Sequence, residues 1–132
     1  MPILNVKVSG KKSRKMTQQI SELLLELTSR ILKKEKNVTV ITIDFIPEDC
    51  WTIGGALLSD LAQSIFYFDI KITDETNTKD EKANYIKEAF SGFQKLLGNL
   101  HETSYIAIHN MKAASYGYGG FTQEQRYQHR VK

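Results

Sequence analysis

The residue in this chain best placed for chemistry is the proline directly behind Met1. If the methionine is removed, as a small following residue permits, Pro2 becomes a secondary amine attached to the first residue of a strand. A free α-amino group has a reference pKa of about 7.7–8.0. An apolar pocket penalises its charged form, so burial moves the amine toward neutrality, where it can accept a proton at pH 7. The pyrrolidine ring also fixes φ, which limits the wandering of a terminus and helps hold the nitrogen against a substrate. The same residue equally suits the plain start of an edge strand, and only its surroundings separate the two roles.

Other chemistry is sparsely represented. There is no Walker loop, no GxGxxG, no HExxH and no GxSxG, so phosphate-cradling, dinucleotide, zincin and hydrolase-elbow readings have no support. His101, His109 and His129 lack metal-ligand spacing with one another and with Cys50. No metal and no other cofactor is expected. Cys50 is the sole cysteine, cannot form an internal disulfide and has no base beside it in sequence, so it reads as inert.

The elements that must position Pro2 come in a repeated order. Leu4, Val6 and Val8 alternate with Asn5 and Lys7 as a strand with one buried face, and Ser9-Gly10-Lys11-Lys12 breaks it. From the N-cap Ser13, Met16, Ile20, Leu23, Leu24, Leu27, Ile31 and Leu32 recur at steps of three and four, predicting a helix that runs until Asn37. Val38 to Ile46 reads as a second strand, closed by Pro47-Glu48-Asp49. The order then returns. Phe66, Phe68, Ile70 and Ile72 alternate, and Thr78-Lys79-Asp80-Glu81 has capping-box spacing before a helix bearing Ala83, Ile86, Phe90, Phe93 and Leu97. Tyr105 to His109 supplies a fourth strand. Trp51-Thr52-Ile53-Gly54-Gly55 is echoed 65 residues later by Tyr116-Gly117-Tyr118-Gly119-Gly120, and Leu4 and Val6 match Ile70 and Ile72 at 66, so the chain reads as a duplication.

A strand joined by a long helix to a second strand is the connection that parallel neighbours need. Two such units side by side predict a two-layer α/β sandwich, with tandem βαβ repeats forming a four-stranded sheet and two helices on one face. We expect a single domain over 1–132, with repeats at about 2–60 and 66–125 and a short C-terminal tail. The uncovered sheet face is expected to be apolar and buried against other subunits.

With 132 residues, 41% hydrophobic and 25% charged, the chain has material for one soluble core, and disorder is excluded. Its formal charge of +3 is too slight to require nucleic acid or an anionic membrane as partner. No apolar run approaches the roughly 18 residues of a membrane span. With no apolar signal region at the N-terminus, a cytoplasmic location is expected.

Pro2-Ile3 at the head of an alternating strand, the long helix, the second strand and the aromatic-x-Ile-Gly-Gly hairpin Trp51-Thr52-Ile53-Gly54-Gly55 together resemble the 4-oxalocrotonate tautomerase (4-OT) family of the tautomerase superfamily. The resemblance spans the whole chain and implies the fused form, in which two βαβ units share one polypeptide and assemble as a homotrimer. It further implies cofactor-free enol–keto proton transfer on a 2-oxo or 2-hydroxydienoate acid, with Pro2 as general base and then acid. Trp51 takes the place of the hairpin aromatic that keeps the proline dry. The family's two substrate-holding arginines fall on Lys11 or Lys12 and on Thr39. A lysine neutralises a carboxylate as a point charge but lacks arginine's bidentate fork, so the usual dicarboxylate substrate is in question.

Arg126 and Arg130, beyond the second hairpin, could replace the missing cations, and Lys71 could face a cleft. Tyr116 and Tyr118 mirror Trp51 and Ile53 and read as packing. The second unit has Phe66 or Phe68 where the first has Pro2, which leaves one active site per chain. Two alternatives stand beside this reading: the superfamily's hydratase-type dehalogenation or decarboxylation, and a non-catalytic ferredoxin-like binding module.

Overall fold

The computed structural model describes residues 2–129. Alternation decides the first strand, β1 (Ile3–Ser9): Leu4, Val6 and Val8 are fully buried, while Ile3, Asn5 and Lys7 occupy the opposite face. Helix α1 (Arg14–Arg30) starts at Ser13, whose hydroxyl accepts the Met16 N–H at 3.1 Å. It stops well short of Asn37. Lys33 takes a left-handed φ of 60°, and the Lys34 N–H turns back to the Thr28 carbonyl at 3.2 Å. Ile31 and Leu32 are buried in this terminal turn, so the apolar stripe outlasts the helix that it seemed to extend. Residues Lys36–Val38 form a 3-10 turn, and β2 (Val40–Ile46) begins two residues later than Val38.

A short hairpin, β3 (Thr52–Ile53) and β4 (Ala56–Leu57), turns on Gly54 and Gly55 at φ 58° and 87°, values that favour glycine at both corners. Helix α2 (Leu58–Leu61) follows. The second half repeats the order with β5 (Phe66–Thr73), α3 (Lys79–Leu97), β6 (Tyr105–Met111), a hairpin of β7 (Gly117–Tyr118) and β8 (Phe121–Thr122), and α4 (Gln123–His129). The predicted capping box forms at α3. The Thr78 hydroxyl accepts the Glu81 N–H at 3.1 Å, and the Glu81 carboxylate accepts the Thr78 N–H at 2.8 Å.

The sheet order is β2-β1-β5-β6: β1 and β2 run parallel, β5 and β6 run parallel, and β1 meets β5 antiparallel at the centre. Strands joined by a helix are direct neighbours, unlike those of the split βαβ arrangement, so the ferredoxin-like alternative is set aside. The register also corrects the repeat. Ile3 pairs with Val40 and Tyr67 with Tyr105, which equates Ile3 with Tyr67 and Pro2 with Phe66, a separation of 64 rather than 66. A slip of two residues keeps every strand side chain on its own face, so alternation alone could not distinguish the two.

One core lies between the sheet and the helices. It joins Leu4, Val6, Phe66 and Phe68 to Ile20, Leu24 and Phe93, and the Phe66 and Phe93 rings stack at 4.0 Å. On α3 Phe90, Phe93 and Leu97 meet the core as expected, whereas Ala83 and Ile86 are exposed and Tyr85 and Ala89 are buried instead. The Tyr85 ring supplies the volume that an alanine could not, and its hydroxyl is matched to Thr28 at 2.8 Å.

The uncovered sheet face is mixed rather than apolar throughout: Ile3, Val40, Tyr67 and Tyr105 lie on it among polar residues. Asn5, Lys7, Thr42, Asp44, Asp69 and Lys71 all lie on it, while the apolar residues of β2 that suggested otherwise, Ile41, Ile43 and Phe45, pack toward the helices. No described helix is long and apolar enough to cross a membrane.

Candidate functional site at the start of the first strand

Pro2 is buried, and its carbonyl accepts the Val40 N–H at 3.3 Å. Met1 lies outside the described residues. Because β1 and β5 are antiparallel, the start of β1 lies beside the end of β5, and parallel pairing brings the end of β6 to the same place. The hairpin that follows β6 therefore comes back across the start of β1. Tyr116 opens it. Its hydroxyl donates at 3.0 Å to the carbonyl of Lys71, the β5 residue that pairs with Ile3. Burial pushes the phenol above the usual tyrosine range, opposed by the Ile3 N–H, which favours the phenolate.

Helix α4 holds this hairpin down. The Gln123 N–H donates to the Tyr116 carbonyl at 2.7 Å, as the Leu58 N–H donates to the Trp51 carbonyl at 3.0 Å in the first half. Arg126 stacks over the Tyr118 ring with its guanidinium carbon 3.9 Å from the centroid, and gives the Tyr118 carbonyl hydrogen bonds of 3.3 and 2.9 Å. Arg126 is thus a brace of the hairpin that carries Tyr116. Arg130 and the His129 side chain lie outside the described residues.

The other candidates sit at the opposite end of the sheet. Trp51 bonds through Nε1 to the Ile46 carbonyl at 3.2 Å, and with Ile53, Phe66, Tyr67, Thr103 and Tyr105 it lines a cavity of about 400 Å³. Phe66 is the counterpart of Pro2, so Trp51 stands over the start of β5 as Tyr116 stands over the start of β1. Lys11 and Lys12 follow the end of β1 and are exposed, and Lys12 lines a cavity of about 670 Å³ with Ser13, Arg14, Thr17, Ile43 and Asp44. At about 3.3 Å per residue the length of β1 separates these groups from Pro2 by roughly 20 Å. Pro2 lines neither cavity. Within one chain, then, Trp51, Lys11 and Lys12 are not brought to Pro2, and the hairpin aromatic beside it is Tyr116.

The remaining polar candidates have local partners. Thr39, on the Pro2 side, donates its hydroxyl to the Glu35 carbonyl at 2.7 Å, and Lys71 pairs with Asp69 at 3.4 Å. The His101 ring nitrogen Nδ1 accepts the Thr103 N–H at 3.1 Å and closes a turn. Cys50 is exposed beside Asp49. Among the described residues no group of three or more His, Cys, Asp or Glu side chains could hold a metal ion.

No protein-family model matches the sequence, and no curated protein matches it. Solved structures do match. A wild-type fused 4-OT asymmetric trimer superposes with a TM-score of 0.79 at 15% identity, covering 92% of this chain and 96% of that one. The fold is that of the fused 4-OT proteins. A second structure of that fold, a protein inactivated by 2-oxo-3-pentynoate, gives 0.79 at 11% identity, covering 92% and 97%. The macrophage migration inhibitory factor-like protein of Entamoeba histolytica gives 0.70 at 14% identity, covering 92% and 97%. In this chain the hairpin of each half lies by the strand start of the other, so within one chain Tyr116 rather than Trp51 lies at the Pro2 end of the sheet. Sequence order alone hid this. Only the antiparallel join of β1 and β5 reveals it, and the one advance signal was the Trp51–Tyr116 echo.

Proposed function

We propose that this chain is a cofactor-free tautomerase acting on a 2-oxo or 2-hydroxydienoate acid, with Pro2 as its general base after removal of Met1. The burial of Pro2 at the start of β1, under a hairpin aromatic of the opposite half, carries the reading. The imino nitrogen takes a proton from the enol hydroxyl, or from a carbon next to the carbonyl, and becomes a cation. It then returns the proton to another carbon of the same molecule, so nothing is consumed. A dry setting keeps the nitrogen neutral at pH 7, and cationic groups stabilise the substrate carboxylate and the developing oxyanion.

Those groups are Lys12 or Lys11, with Trp51 as an apolar wall and Arg126 as the nearer positive charge. The first three lie roughly 20 Å from Pro2 along β1, so they would serve it from a neighbouring chain. A cytoplasmic homotrimer supplies such neighbours, and a fused 4-OT solved as a trimer supports that assembly. One site per chain follows from Phe66, a residue inside the chain that has no free amine.

Intact-mass measurement of the natively expressed chain, followed by ketonisation of phenylenolpyruvate and 2-hydroxymuconate, tests the reading. Pro2→Ala is expected to lower kcat/KM by about 100-fold or more. Equal rates in the two proteins, or a retained methionine, would remove Pro2 as the base.

A further inference from the structure

We draw no further inference here: the strongest candidate, the aromatic cavity over the start of β5 lined by Trp51, Phe66, Tyr67 and Tyr105, shares its Trp51 wall with the site already proposed, and nothing in the structure shows what covers it.

Discussion

Thr28 and Tyr85 are both fully buried and share one hydrogen bond of 2.8 Å between α1 and α3. Burial drives the Tyr85 phenol well above its usual range, and the Thr28 hydroxyl only partly offsets this, so the pair is a neutral one at any working pH. Tyr85→Phe keeps the ring packing and leaves the Thr28 hydroxyl without its phenol partner. A loss of about 1 kcal/mol in a urea melt, with an unchanged slope, is the expected result. At this scale the sequence was uneven as a guide. Pro2 announces itself through its position behind Met1, whereas Tyr85 and Tyr116 do not. A tyrosine on a helix or in a hairpin carries no sign of which partner its hydroxyl will find across the fold.

Helix starts were readable and one helix end was not. Ser13 and Thr78 cap their helices through side-chain oxygens as their spacing implies, because an N-cap depends on three or four consecutive residues. The end of α1 depends on Lys33 turning left-handed, and Ile31 and Leu32 stay in phase with the apolar stripe after the helix has ended. The α3 cap also carries a pH prediction. The Thr78 backbone N–H, the Asn77 amide and Lys33 hold the Glu81 carboxyl below its usual range. A depressed folded pKa contributes stability above the unfolded value of about 4.3, and that contribution is lost as pH falls through the folded value. Stability should therefore fall with acid below that point. Glu81→Gln should flatten this part of the pH profile in thermal melts, and Thr78→Ala should cost about 1 kcal/mol at neutral pH.

Across the whole molecule, the paired βαβ units and the two-layer sandwich followed from periodicity, while the strand offset and the character of the open face did not. The offset was hidden by a period of two. The face was misjudged because β2 was read as apolar throughout, when its inward residues alone are consistently so: Thr42 and Asp44 point outward, in register with Asn5 and Lys7. An open face that mixes Ile3, Val40 and Tyr105 with these polar groups suits an interface of apolar contacts, hydrogen bonds and ion pairs. Sedimentation at micromolar concentration is expected to give three times the 15.1 kDa of one chain. A stable monomer would contradict the assembly proposed to bring Lys12 to Pro2.

The crossing of the two hairpins has a consequence for how the chain can be divided. Expressed alone, the first half would expose the flank of β1 that β5 now occupies and would keep a hairpin with no strand start beneath it, while its proline would have no roof. Two copies of that fragment could trade hairpins and repair both faults. An isolated half should therefore be found as a pair or not folded at all.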